Sequence, residues 1–259
     1  MQISHELTPQ LFSYFDKYND YDFILPRFWE KNKEYREHYQ CSSKFKILDN
    51  GLFEGDSFTV IELVEIINQV QPDIFIIPDV WNNSMLTFRN AKYWYNTIKS
   101  QLPFKTNLMV VLQGNDFSEF KGLYQECEDL GIRYFAFNHS SNAYQNLFKH
   151  PNKLVNSMMG RNFFITQLLN KNIIQNNHYI HLLGGSLPQE FLYYPKDWTF
   201  IKSVDTSSPI INGALGIYYN DWGMSTKPEQ KLEEFFEKDL TSQIHYIEYN
   251  IGRFKTFVQ

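Results

Sequence analysis

Three aspartates stand at the ends of short apolar runs in this chain: Asp49 in KFKILD, Asp79 in DIFIIPD and Asp205 in TFIKSVD. Gln113 closes NLMVVLQ, Asn138 closes IRYFAFN, and the pair Gly184-Gly185 follows YIHLL. Each has a plain structural explanation when taken singly. Asn50-Gly51 behind Asp49 suits a tight turn, Asp79 could cap the next helix, and Asp205 lies among hydroxyl residues that would satisfy a turn carboxylate. Together they are harder to dismiss. Carboxylates brought from different strand ends to one place shift each other's pKa values and suit nucleophile and acid/base roles. A glutamine offers both donors and an acceptor, which suits the edge of a nucleobase. Glycines let backbone groups approach a flat ligand closely.

Such convergence needs a scaffold, and the rest of the chain supplies its pattern. Six runs read as β-strands: 44–49, 73–79, 107–113, 132–138, 179–184 and 199–205. They are nearly continuously apolar, as parallel strands covered on both faces are. Asp22–Leu25 reads as an earlier strand, and Leu215–Tyr219 best fits the eighth. Helical spacing predicts helices over Phe58–Val70, Phe117–Leu130, Asn152–Asn172 and Pro228–Phe254. The β-α alternation points to a parallel α/β fold. No glycine-rich phosphate fingerprint follows the first strand, and polar residues recur at strand ends, so the expected fold is a TIM-type (β/α)8 barrel. Its 259 residues fit one such barrel as a single domain, residues 1–259.

Composition excludes several classes. Twenty-four basic against 29 acidic residues give a formal charge of −5, which does not announce a nucleic-acid binder but leaves room for a few placed cations. Cys41 and Cys127 stand far apart in no metal-like spacing, so free thiols in a reducing, cytoplasmic compartment are expected. No signal peptide or membrane span is legible. His178 and His181 in HYIH point to opposite faces of a strand and cannot share a metal. His139 at a strand end could line a pocket. The run Arg27–Gln40 mixes both signs and reads as a solvated helix. Arg89, Lys92, Lys99 and Lys105 could touch phosphates, and Trp81, Trp94 and Tyr95 read as core or rim.

The ordered set resembles the tRNA-guanine transglycosylase superfamily over about residues 44–213. ILDNG is similar to the SDSGG-type strand end with its active-site aspartate, at Asp49. The Asp79 strand resembles the segment of the base-recognising aspartate, and VVLQG resembles IVQGG with its base-binding glutamine, at Gln113. HLLGG is similar to the family's HLFGIG strand, and KSVDTSSP stands where the nucleophile segment lies, which puts the nucleophile at Asp205. SVDTSSP with HLLGG is most similar to the phage-type (DpdA-like) branch, which inserts 7-deazaguanine bases such as preQ0 into DNA.

The resemblance implies catalysis by Asp205 and Asp49, with base recognition by Asp79, Gln113, Gly184 and Gly185. Asn138 takes part in a wall where Phe137-Asn138-His139 replaces the family's glycine pair. Asn212-Gly213 resembles a turn near the substrate backbone. The family's zinc cluster has no counterpart, because no cysteine follows Cys127. Neither metal nor redox cofactor is expected. The implied partners are DNA or tRNA and a guanine or 7-deazaguanine base, with no membrane and with a homodimer left open. For a phage-encoded chain the compartment would be the host cytoplasm. Rival readings are exchange on tRNA, a catalytically silent nucleic-acid-binding subunit, and an unrelated barrel hydrolase with two carboxylates.

Overall fold

The computed structural model describes residues 1–52, 55 and 57–258. Eight strands form one parallel sheet: β1 (Gln2–His5), β2 (Asp22–Ile24), β3 (Lys46–Leu48), β4 (Ile74–Ile76), β5 (Asn107–Val111), β6 (Tyr134–Asn138), β7 (Tyr179–Leu183) and β8 (Ile201–Thr206). Their order is β1-β8-β7-β6-β5-β4-β3-β2, so the sheet curls until its two ends meet. At the seam, Ile3 N donates to Asp20 Oδ2, Asp20 N to Ile3 O (both 2.9 Å), and Phe23 N to Ser4 Oγ (3.2 Å). The fold is a nearly closed TIM-type (β/α)8 barrel.

The helices are α1 (Phe12–Phe15), α2 (Pro26–Lys31), α3 (Lys33–Cys41), α4 (Val60–Val70), α5 (Ser84–Tyr93), α6 (Phe117–Asp129), α7 (Asn142–Leu147), α8 (Lys153–Asn170), α9 (Ser208–Ala214) and α10 (Ile244–Val258). Local chemistry starts them. Thr59 and Glu62 form a reciprocal capping box on α4, and Asp116 and Asn152 accept the free N–H groups of α6 and α8. Each then buries one apolar stripe on the barrel: Leu63, Ile66, Ile67 and Val70 from α4, and Phe120, Leu123, Tyr124 and Cys127 from α6. A fully buried aliphatic or aromatic side chain contributes about 1.5–3 kcal/mol. Among the described residues, no helix is long and apolar enough to cross a membrane.

The strand expectations hold for seven positions, with one correction. The remaining strand is Gln2–His5, whereas Leu215–Tyr219 forms none. Leu215 ends α9, and the residues after it are tied to α10 through Asn250, which accepts from Tyr219 N at 2.8 Å and donates to Ile217 O at 2.8 Å. Only a segment beside β8 could complete the ring, and QISH fills that place.

Two helical expectations and one turn expectation also change. Pro228–Phe254 is helical only from Ile244, after two short 3-10 turns at Leu232–Phe235 and Thr241–Gln243. The run 27–40 is broken at Asn32, which caps α3, and buries Phe28, Trp29, Tyr35 and Tyr39 as well as solvating its charges. Asn212-Gly213 lies inside α9, not in a turn at a substrate strand. A Cβ on Gly213 would stand 2.6 Å from the Ile247 backbone, so glycine there permits the close crossing of α9 and α10.

Candidate active site

Strand register decides which side chains face the barrel interior. In parallel pairs the matched residues share a face, and every second residue returns to it. Phe23 matches Ile47, Ala136 matches His181, Asn138 matches Leu183, and His181 matches Ser203. Two residues on from Ile47, Met109 and Ser203 along this face, the chain reaches Asp49, Val111 and Asp205. A bulge between β7 and β8 sets the last match: Ile180 pairs Ile201, but His181 pairs Ser203, which skips Lys202. The extra residue brings His181, Ser203 and Asp205 to one interior column.

Asp49, Asp79, Gln113, Asn138, Gly184, Gly185 and Asp205 all line one cavity of about 920 Å³ at the C-terminal ends of the strands. That is where a barrel assembles its chemistry. In the ring order β4 and β8 stand four positions apart among eight, so Asp79 and Asp205 face each other across the opening.

On one side, Asp79 is the hub of a polar set. Gln113 Nε2 donates to its Oδ2 at 2.5 Å, and Asn50 Nδ2 donates to its Oδ1 at 3.0 Å. Gln113 Oε1 is fixed in turn by Asn82 N at 3.0 Å. Asp79 does not cap α5, whose capping residue is Asn83. Burial raises the Asp79 pKa, and the two amide donors offset only part of that shift. Asn50 earns its place here by geometry, although in the sequence it reads only as half of a turn. Asp49 accepts Gly51 N on Oδ2 at 3.0 Å, so the turn and the cavity-lining position are one feature.

On the other side, Asp205 Oδ1 accepts Gly184 N at 2.9 Å, and His181 Nε2 approaches the same oxygen at 3.0 Å. Gly184 adopts φ +77°, and an added Cβ would meet His139 Nδ1 at 2.8 Å. Both facts restrict this position to glycine. Asn138 borders the cavity, yet both its amide atoms are buried without a hydrogen-bond partner among the described residues. His139 is half-buried at the cavity, and desolvation there pushes its pKa down to about 3, with Lys227 and Arg161 adding to the shift.

Sequence reading missed several other contributors. Glu6 follows β1 and reaches the rim. Lys227 arrives on the irregular segment after α9, where burial lowers its pKa and the Glu6 and Asp205 charges oppose that shift. Gln189 holds this strap by pairing with both backbone groups of Met224, and Arg27 meets Glu233 at 2.8 Å. Arg161, inside α8, clamps the ends of β6 and β7 from behind.

Of the aromatic candidates, Trp94 is core, Tyr95 is half-buried, and Trp81 lines the cavity at 48% exposure. Lys105 lies at the opposite end of the barrel, paired with Asp73 at 3.2 Å. His178 and His181 do face opposite ways: His178 meets Tyr124 of α6, and His181 stacks on Phe23 inside the barrel. No protein-family model matches the chain, and no curated protein matches it.

Proposed function

We propose that the protein exchanges guanine in a polynucleotide for a 7-deazaguanine base, through a covalent aspartyl–sugar intermediate. One observation carries this reading: a carboxylate held through a single oxygen, Asp205, faces a carboxylate–amide set, Asp79 with Gln113 and Asn50, across a cavity of about 920 Å³. Both groups are of the type and in the strand-end positions that the transglycosylase resemblance implies. The preference for DNA over tRNA rests on the similarity of SVDTSSP and HLLGG to the phage-type branch.

In this scheme the amidine edge of guanine donates to Asp79, whose two oxygens have lone pairs beyond those used by Gln113 and Asn50. Gly184 N and His181 both converge on Asp205 Oδ1, so Oδ2 is the oxygen that attacks C1′. The C1′–N9 bond breaks, its electron pair leaves with the base, and Asp49 supplies the proton the base needs. The incoming deazaguanine gives its N9 proton to Asp49 and attacks C1′. The ester C–O bond then breaks and restores the Asp205 carboxylate. Two displacements retain the anomeric configuration, as in retaining glycosidases. A duplex target must present its nucleotide out of the stack for C1′ to be reached.

The test is incorporation of labelled guanine or 7-cyano-7-deazaguanine into matched DNA and tRNA pools by the purified protein. Label in DNA that is lost in a folded Asp205→Asn variant supports the reading. Label in tRNA alone keeps the chemistry and changes the substrate. Release of base without replacement identifies a hydrolase, and label in neither pool from folded protein favours a silent subunit.

A further inference from the structure

We infer that His181 is a positioning residue for Asp205, locked by Ser203 and Tyr179 into the tautomer that presents an N–H to the carboxylate; this rests on the base-exchange reading for its kinetic consequence, though not for its geometry. The chain of donors is directional. Tyr179 Oη donates to Ser203 Oγ at 2.9 Å. Ser203 Oγ accepts there through one of its two lone pairs and keeps its own proton, which in this inference it gives to His181 Nδ1, 2.8 Å away. An imidazole that accepts at Nδ1 carries its proton at Nε2, and Nε2 stands 3.0 Å from Asp205 Oδ1.

The ring cannot swing away. His181 is fully buried, Phe23 stacks on it at 5.7 Å, and the Tyr21 ring meets it edge-on at 6.5 Å. The Tyr21 phenol lies in the field of Asp205, which adds to burial in raising its pKa. The bulge that drops Lys202 from the ladder is what brings Ser203 opposite His181. The Nε2 contact is close but outside hydrogen-bond alignment, and a small turn of the carboxyl, such as bringing Oδ2 onto C1′ requires, would align it.

The consequence falls on the second half of the exchange. In the ester, Oδ1 is the carbonyl oxygen. As the C1′–Oδ2 bond breaks, negative charge returns to both oxygens, and Gly184 N, joined by His181 Nε2 once the turned carboxyl aligns with it, stabilises it. Removing one such preorganised donor slows a step of this kind roughly 100-fold. Ester breakdown should therefore suffer more than ester formation in His181→Phe, and the covalent protein–polynucleotide adduct should accumulate. His181→Gln, which restores an N–H donor, should recover most of the loss.

The experiment pairs two measurements on the full-length protein. Two-bond 1H–15N correlation spectra of the histidine rings, with His181→Gln to identify the His181 signals, report the tautomer. Denaturant-stable adduct formation with single-stranded DNA, chased with 7-cyano-7-deazaguanine, reports the two half-reactions. The expected results are an Nε2–H tautomer in the wild type, a tautomer mixture in Ser203→Ala, and a selective defect in the chase for His181→Phe. An Nδ1–H tautomer overturns the inference, as does an equal slowing of both half-reactions or a failure of glutamine to rescue. If His181→Phe does not fold, the wild-type tautomer and Ser203→Ala still decide. Absence of any adduct with the wild-type protein counts against the base-exchange reading, whereas the tautomer result stands or falls separately.

Discussion

Arg161 and Glu190 form a two-point ion pair, Nε to Oε1 and Nη2 to Oε2, both at 2.7 Å. The guanidinium has no solvent exposure, and its other protons reach the carbonyls of Phe137, Leu183 and Gly184 at 3.1–3.2 Å. Tyr194 donates to Glu190 Oε1 at 2.6 Å. The pair therefore ties two strand ends and the glycine that holds Asp205. Breaking one side of a buried pair leaves an uncompensated charge, which typically costs about 3–5 kcal/mol. Glu190→Gln should lower unfolding free energy by an amount of this order in urea titration. A loss within 0.5 kcal/mol of zero would show that the clamp is dispensable.

Gly184→Ala tests the turn directly. The added Cβ meets His139 Nδ1 at 2.8 Å at a φ of +77°, a combination that costs about 1–3 kcal/mol. The chain escapes that strain by moving the Gly184 N–H away from Asp205. Exchange activity should therefore fall further than thermal stability. Full activity in a destabilised protein would separate Gly184 from Asp205.

Asp79→Asn replaces an acceptor of two donors by a group with one acceptor and one donor. The Gln113 amide cannot simply flip, because its Oε1 accepts Asn82 N. One buried donor is left unmatched, at a cost of about 1–3 kcal/mol, and guanine affinity should fall. The pH dependence has a definite sign. The Asp79 pKa is raised on folding, so ionisation opposes the folded state at neutral pH. That penalty is relieved as pH falls through the folded pKa toward the ordinary value of 3.8. Wild-type stability minus that of Asp79→Asn should thus grow on acidification in this window. A pH-independent difference would remove the burial argument.

Two desolvated histidines, His5 in the core and half-buried His139, make the opposite contribution. Burial lowers the His5 pKa from 6.5 to about 4 and that of His139 from 6.5 to about 3. Below pH 6.5 the unfolded chain takes up protons that the folded chain refuses, so stability is lost as pH falls toward those folded values. The slope is about 1.4 kcal/mol per pH unit for each group. His5→Gln and His139→Gln should each flatten the stability profile between pH 6 and about 4. Unchanged slopes in both variants would show that other groups govern acid unfolding.

The sequence by itself determined the seven strands it most densely codes and the polar residues that end them. Parallel strands buried on both faces must be apolar throughout, so a polar residue closing such a run is conspicuous without coordinates. Asp49, Asp79, Gln113, Gly184 and Asp205 were legible for that reason. Gln2–His5 was not, because four residues of mixed polarity become a strand only when β8 offers them a partner. The strap carrying Lys227 runs into Pro228–Phe254, whose helical spacing is realised only from Ile244, and Arg161 sits in an ordinary helical run whose function depends on what lies beneath it. His181 shows most clearly what tertiary structure decides. Its place on an interior face follows from alternation, but its alignment with Ser203 and Asp205 follows from one skipped residue between β7 and β8, and register between strands distant in sequence is fixed only when the barrel closes.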